Sequence, residues 1–188
     1  MTLECIVNQL GIDPPDNIGH FDSDISVFHS AVATFLSPSD PSNTHGMRRE
    51  RIRSTPSWRG AGERRDCAFV VEDDKKPGMS GMAVVRIKLL FSFQYNDVQF
   101  SCALVEWFDR VRYDDSTGMW IVRPSSTRGR RDKSVLHLDC LLRAAHLIPV
   151  YADNQPLPLD FHYSYSLHAF GAYYVNKYID HNANELAF

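Results

Sequence analysis

The chain has 188 residues, 44% hydrophobic and 23% charged, with a formal net charge of −3 at pH 7. This length and composition are ordinary for a single globular domain that can bury a core. No apolar run approaches the ~20 residues that a membrane-spanning helix needs, and the start of the chain lacks the basic residues of a secretory signal.

Cysteine usage argues against a disulfide framework. The four cysteines are far apart, without a CxxC pair, and three of them lie inside apolar runs. Buried free thiols in a reducing compartment are therefore expected, and a zinc site built from these cysteines is not.

Charge is segregated along the chain. Residues 1–41 contain six acidic side chains and no lysine or arginine, whereas residues 42–65 contain seven arginines and two glutamates. Segregation of this kind can mark a nucleic-acid-binding surface, but an acidic segment folded against a basic one would give the same pattern.

Two helices are predicted at the N terminus. Thr2 can cap a short helix that ends at Leu10, and Asp22 or Ser23 can cap a second helix that ends at about Leu36. The apolar residues of the second helix recur at helical spacing: Ile25, Phe28, Val32, Phe35 and Leu36. The following residues 46–60 show no sustained period and are interpreted as a basic loop around Trp58.

A β-hairpin is the clearest element of the chain. Two runs rich in β-branched and aromatic residues, 82–95 and 98–108, flank the polar turn Asn96-Asp97. Alternation along the first run places Val84, Arg86, Lys88 and Leu90 on one face and Val85, Ile87, Leu89, Phe91 and Phe93 on the other. One face is thus expected in the core and the other at least partly in solvent.

Further strands are predicted over residues 66–72, 118–123, 135–138 and 147–151. Residues 139–145 are interpreted as a helical turn capped by Asp139. Residues 167–179 are interpreted as an aromatic helix with a stripe of Phe170, Tyr174 and Tyr178.

The expected fold class is α+β: a small, mostly antiparallel β-barrel with N-terminal helices and a C-terminal aromatic helix packed on it. Within one domain, residues 1–41 form an acidic helical extension, 42–65 a basic loop, 66–151 the barrel, and 152–188 a connector and the C-terminal helix.

The arginines are the strongest functional signal. Guanidinium groups suit phosphate oxygens, and an indole ring can stack on a base. The predicted nucleic-acid-binding residues are Arg48, Arg49, Arg51, Arg53, Trp58, Arg59, Arg64, Arg65, Arg128, Arg130 and Arg131. The last three would extend the track only if they lie on the same side of the barrel. The alternative is a solvated basic loop, or one neutralised by the acidic extension.

Tryptophan offers a second interpretation. Trp58, Trp107 and Trp120 could contribute to an aromatic cage for a methylated lysine. Core packing is favoured for Trp107 and Trp120 because both lie in predicted strands.

Catalytic and metal sites are not predicted. His137 and Asp139 have the His-x-Asp spacing of non-haem iron oxygenases, with His162, His168 or His181 as a conceivable third ligand. The stretch from Asp139 to His168 is too short for the strands that such a site needs. His137 is therefore interpreted as a strand side chain and Asp139 as a helix cap. Asp160, His162 and His168 are likewise not favoured as a zinc site, and the chain contains no phosphate-binding fingerprint.

Several phrases resemble the C-terminal region of Plavaka-type transposases, CACTA-like DNA transposons of mushroom-forming fungi. They are SAVATF (30–35), RIRSTPSW (51–58), CALVEWF (102–108), TGMW (117–120), HLD (137–139), RAAHLIPVY (143–151), FHYSYSL (161–167) and YVNKY (174–178). The likeness runs from about residue 25 to the end. A fainter, fold-level resemblance is to bromo-adjacent homology (BAH) domains, in the strand order and the strand, short helical turn and strand over residues 135–151.

The resemblance implies a non-catalytic accessory or interaction domain that works in the nucleus, with DNA or a chromatin protein as its partner. The resemblance is compatible with a domain of a transposase and with a domesticated remnant of one. No cofactor is expected, and a homo-oligomer is possible. The transposase nuclease site is expected elsewhere, because the run from Val84 to Phe93 has no carboxylate and the connections are hairpin-short. Two alternatives remain: a metal-dependent enzyme acting on nucleic acid, and a structural domain for self-association.

Overall fold

The computed structural model describes residues 24–37, 46–60, 62–95, 97–151, 159–162 and 165–188. The helix predicted over residues 2–10 and most of the connector after Tyr151 lie outside the described residues, as does Cys5.

The described residues form fourteen β-strands, two α-helices and two 3₁₀ turns. The strands are β1 (Ser26–Phe28), β2 (Ser30–Leu36), β3 (Met47–Thr55), β4 (Arg64–Arg65), β5 (Cys67–Val71), β6 (Met82–Tyr95), β7 (Val98–Asp114), β8 (Met119–Pro124), β9 (Ser126–Thr127), β10 (Arg130–Arg131), β11 (Lys133–His137), β12 (Leu141–Ala145), β13 (Leu147–Pro149) and β14 (Tyr173–Val175). The helices are α1 (Ser166–Ala169) and α2 (His181–Ala187), and the 3₁₀ turns are Gly78–Ser80 and Leu138–Cys140. None of the described helices has the length and apolar character needed to cross a membrane.

The main sheet curls into a nearly closed barrel. Its antiparallel strands follow the order β12-β5-β6-β7-β8-β14-β13, and β1 and β11 pair with β6 and β7 beside this path. The first and last strands of the path are joined by His146 alone. Two strands that are one residue apart in the chain cannot lie at opposite edges of a flat sheet, so the sheet must curve back on itself. The predicted α+β fold with a small antiparallel barrel is confirmed.

Each barrel strand contributes a side chain to one buried cluster. The cluster includes Phe69, Val84, Phe108, Val122 and Tyr173, all at most 4% exposed. The rings of Phe108 and Tyr173 meet edge to face, with centroids 5.9 Å apart. These side chains come from strands far apart in sequence, so the cluster forms only when the barrel closes.

A second layer covers the outside of the barrel. Strands β2, β3 and β4 form a small antiparallel sheet. Its Ile52, with Ala31 and Ala33, packs against a buried cluster that includes Val85 and Ile87 of β6. Residues 82–87 of β6 are therefore buried on both faces, and the expectation that one face would be wet is wrong for this half of the strand.

The predicted hairpin is confirmed as β6 and β7, and Asp97 has the positive φ (61°) typical of a tight turn. Its predicted faces need one correction. The register against β7 shifts between Ile87 and Leu89, and a bulge of this kind inverts the alternation beyond it. Leu90 therefore packs with Val85 and Ile87 rather than with Val84.

The helix predicted to end at Leu36 is wrong where it is described, because residues 26–36 form β1 and β2. Ile25, Phe28 and Val32 would form the buried stripe of such a helix, yet they are 53%, 46% and 41% exposed. Pairing of β1 with β6 and of β2 with β3 overrides the local helical spacing.

The basic loop predicted over residues 42–65 is also wrong in part, because it contains β3 and β4. Arg49, Arg51 and Arg53 alternate with Glu50 and Ile52, which is the period of a strand with one basic face.

Two predictions near the C terminus need correction. Residues 139–145 form a 3₁₀ turn and then β12, which pairs with β5. Asp139 does not cap the turn: its own N–H is accepted by the side chain of His137. The predicted aromatic helix is replaced by α1, β14 and α2. Phe170 is buried in the barrel whereas Tyr178 is 67% exposed, so no common stripe exists.

The described cysteines are free thiols, as predicted. Cys67 and Cys102 are buried and Cys140 is half-buried. Burial raises the pKa of Cys67 to about 12 and that of Cys102 to about 11, so both thiols stay protonated at neutral pH.

Candidate nucleic-acid interface

The basic face of β3 forms one wall of a groove. Ile52 faces the barrel and is 1% exposed, so the odd-numbered neighbours of Ile52 face away from the barrel. Arg49, Arg51 and Arg53 all line the groove, whereas Arg48 does not. Arg49, Arg51 and Arg53 thus share one face of β3, and Glu50 reaches the groove from the other face.

The groove encloses about 600 Å³ and is bounded by β3, β4, β12 and α1. Its lining contains six arginines and three carboxylates, a formal excess of three positive charges. The charged lining residues are Arg49, Arg51, Arg53, Arg64, Arg65, Arg143, Glu50, Asp66 and Asp180. This excess of positive charge favours anionic ligands.

Three guanidinium groups lie close to the indole ring of Trp58. The guanidinium carbons of Arg53, Arg64 and Arg59 lie 4.7, 4.9 and 5.4 Å from the ring. Asp66 organises two of them: its carboxylate accepts from Arg64 Nε at 2.7 Å and from the backbone N–H of Arg53 at 2.9 Å. Arg59 has a positive φ of 53°, which turns the loop back towards the ring.

Arg143 is a structural clamp at the base of the groove. It is 2% exposed, and it donates from Nη1 and Nη2 to the two oxygens of Asp180 at 3.0 and 2.6 Å. Its Nε lies 3.4 Å from Glu50 of β3. The hydrogen bonds from Arg143 hold the pKa of Asp180 below its usual value. This guanidinium ties β12, β3 and the start of α2 together.

A second cavity of about 410 Å³ adjoins the groove and shares Arg64, Arg65, Asp66 and His146 with it. Arg86 lines this cavity and is 3% exposed. Its Nη1 lies 2.8 Å from His168 Nε2, and its Nη2 lies 3.7 Å from Glu63. Burial, followed by the charge of Arg86, lowers the pKa of His168. A neutral imidazole can accept the hydrogen bond from Arg86.

Arg131 belongs to a different cluster. Glu106 of β7 is 6% exposed and lies 3.4 Å from Lys133, 3.9 Å from Arg131 and 4.0 Å from Lys88. The guanidinium of Arg131 also lies over the ring of Phe108 at 5.3 Å. Arg131 therefore lies between Glu106 and Phe108 with its side chain 28% exposed, and its binding role stays a prediction.

The predicted binding residues thus separate into two groups. The groove and the second cavity bring together Arg49, Arg51, Arg53, Arg64, Arg65 and Trp58, with Arg59 against the indole. Arg128 and Arg130 lie exposed at the β9–β10 hairpin and line neither cavity. These two residues are not part of the groove lining, and their binding role stays a prediction.

Sequence reasoning missed Arg86 and Arg143. Each is a charged residue inside an apolar strand run, VVRIK and LLRAA. A charge in such a position is almost never fully buried unless it is paired, and this is the signal that could have found them. Glu63 and His168, the partners of Arg86, carry no comparable signal because they come from other parts of the chain.

The described histidines do not form a cluster that could hold a metal ion. His137 Nδ1 accepts the N–H of Asp139 at 3.3 Å, whereas His168 lies beside Arg86. Over the described ranges, no group of three or more His, Cys, Asp and Glu side chains is placed to hold a metal ion.

Comparison of the chain with protein-family models, curated proteins and solved structures gave no match. The resemblance to Plavaka-type transposases and to BAH domains is thus carried by the quoted phrases alone.

Proposed function

We propose that this domain binds nucleic acid through the arginine groove, as a non-catalytic accessory or interaction domain of the kind implied by the transposase resemblance. The proposal includes a nuclear location, with DNA as the expected partner. The observation that carries it is the row of Arg49, Arg51 and Arg53 along one wall of a groove with an excess of three positive charges.

The three arginines of this row are available to a ligand. Arg51 donates to the neutral hydroxyl of Ser30 at 2.9 Å, and Arg53 lies over Trp58. Within the described part of the chain, none of the three forms an ion pair with a carboxylate. Arg64 and Arg65, by contrast, are paired with Asp66 and Glu63. Phosphates would therefore bind first along β3.

Residues two apart on a strand are ~6.6 Å apart, so Arg49, Arg51 and Arg53 form a regular row. Phosphates of an extended single strand follow one another at a comparable spacing, and guanidinium groups bind each of them with two parallel hydrogen bonds. The row thus suits a strand that runs along β3.

The test removes two charges of the row in the variant Arg49→Gln/Arg51→Gln. Its control is Arg112→Gln/Arg123→Gln, which removes the same number of charges from exposed positions that line neither cavity. Binding of a labelled single-stranded oligonucleotide is measured by fluorescence anisotropy at several salt concentrations. Three phosphate contacts predict a slope of log K against log salt of about −2 for the wild type.

The groove variant should lower both the affinity and the magnitude of this slope, because each lost contact releases one counterion fewer. The control should keep the wild-type slope. Equal effects of the two variants would mean that only overall charge matters, and the proposed groove would be wrong. Light scattering on the same samples tests the alternative of a self-association domain.

A further inference from the structure

We propose that the second cavity binds one unpaired base, extruded from a nucleic-acid strand that lies in the groove, and that it prefers guanine. This inference rests on the proposed function. It concerns the specificity of the site, which phosphate contacts along β3 cannot supply.

The connection between the two cavities places a base within reach. Arg64, Arg65 and Asp66 line both the groove and the second cavity. A nucleotide whose phosphate lies at the shared arginines can therefore direct its base out of the groove. The cavity of about 410 Å³ is at the small end of the ~300–1,000 Å³ of ligand pockets, which suits a single base rather than a paired one.

The lining of this cavity contains both apolar and polar side chains. Trp58 and Leu167 provide apolar surface, and base recognition by flipping commonly uses such walls together with hydrogen bonds to the base edge. Arg86 lines the polar side of the cavity, and its guanidinium is 3% exposed. Its positive charge there favours a ligand acceptor such as a carbonyl oxygen.

Glu63 provides the matching acceptor. Its carboxylate lines the cavity 3.7 Å from Nη2 of Arg86 and is 37% exposed. A guanidinium donor beside a carboxylate acceptor is complementary to guanine, whose O6 accepts while N1–H and N2–H₂ donate together. Adenine, cytosine and thymine do not present two adjacent donors beside a carbonyl acceptor. A phosphate in the same place would meet the negative charge of Glu63.

The test uses an oligothymidine strand with one central position that is guanine, adenine or abasic, measured by fluorescence anisotropy. Stacking is worth ~1–3 kcal/mol per base, so the guanine strand should bind about 10-fold more tightly than the abasic strand. Trp58→Ala should remove this gain, and Trp58→Phe should keep most of it. Arg86 is left unchanged because its removal could unfold the barrel.

The Glu63→Gln variant tests the base preference. An amide offers one acceptor and adds a donor, so the preference for guanine over adenine should fall to about twofold or less. Thermal unfolding followed by circular dichroism shows that each variant is folded. Thymine flanks are used because they occupy the groove without offering the guanine edge.

Two results separate the inference from the proposed function. If the wild type binds the guanine and abasic strands equally while Arg49→Gln/Arg51→Gln still weakens both, the base site is wrong and the groove stands. If the groove variant also leaves binding unchanged, the proposed function is wrong and the base site falls with it.

Discussion

Buried charges connect the parts of this chain at the residue scale. Arg143 links β12 to Asp180 at the start of α2 and to Glu50 of β3, and its guanidinium lies 4.8 Å from the ring of Phe35. Arg86 and Glu106 have similar positions on the neighbouring strands β6 and β7. Each charge is stable in the interior because partners from distant strands surround it.

The pair of Arg143 and Asp180 makes stability depend on pH. The folded pKa of Asp180 lies below 3.8. The stability that this carboxylate adds is therefore complete above pH 3.8, and it is lost as the pH falls through the folded pKa. Asp180→Asn should lower the free energy of unfolding by about 1–2 kcal/mol at pH 7. This loss is smaller than for a fully buried pair because the carboxylate is 39% exposed.

Asparagine keeps the cap of α2, because its side-chain oxygen can still accept the N–H of Ala183 that Asp180 accepts at 2.7 Å. The variant therefore removes the charge and the hydrogen bond from Arg143 Nη2 but keeps the cap. Urea unfolding at pH 7 and pH 3 should show a smaller loss of stability on acidification than in the wild type. The exposed Asp115→Asn is the control, and a wild-type acid response in Asp180→Asn would contradict the assignment.

Glu106 lies within 4.0 Å of three cationic side chains, those of Lys88, Arg131 and Lys133. Glu106→Gln should destabilise the fold by about 2–4 kcal/mol, because it leaves partly buried cations without a counter-charge. Urea unfolding at neutral pH measures the change, with the exposed Glu72→Gln as control. A loss below about 1 kcal/mol, as for a surface pair, would show that solvent already screens the cluster.

At the scale of elements, single backbone positions set strand geometry. The bulge in β6 between Ile87 and Leu89 transfers Leu90 to the outer cluster. Gly81, just before β6, accepts the N–H groups of Glu72 and Asp73 at 2.9 and 3.0 Å and so closes the turn from β5. This turn holds the two strands in register.

Gly81 tests the tightness of that turn. A Cβ at this position would collide with the carbonyl oxygen of Asp73 and would lie 2.5 Å from that of Lys76. Gly81→Ala should therefore lower the free energy of unfolding by about 1–3 kcal/mol, because the added methyl group overpacks the turn. Gly171→Ala is the control, because a Cβ there meets no atom within 4 Å. Equal melting temperatures for the two variants would contradict this account.

At the scale of the whole molecule, two layers position the groove. The barrel carries β12 and the outer sheet carries β3, and the backbone N–H of Ala144 in β12 donates to Glu50 of β3 at 3.1 Å. The groove lies where these layers meet. Arg49, Arg51 and Arg53 are thus presented on a paired strand rather than on a loop, which reduces the entropy lost when a ligand orders them.

Part of the site could be predicted from local sequence. Seven arginines within 24 residues predicted a basic surface, and five of them line the groove. The arginines on either side of Ile52 alternate with the period of a strand. The charge of Glu50 and the loop at Trp58 made this alternation difficult to recognise. The second cavity could not be predicted, because Arg86, Glu63 and Leu167 meet only through barrel closure.

Local sequence is sufficient to predict the central hairpin, the strands at 66–72, 118–123 and 135–138, and the free thiols, because alternation and turn chemistry act between neighbours in the chain. The strands at 26–28, 30–36, 141–145 and 173–175 depend instead on long-range pairing. Their local spacing is compatible with helix, and the hydrogen bonds that make them strands come from partners far away in sequence. The same long-range pairing decided which arginines share a surface.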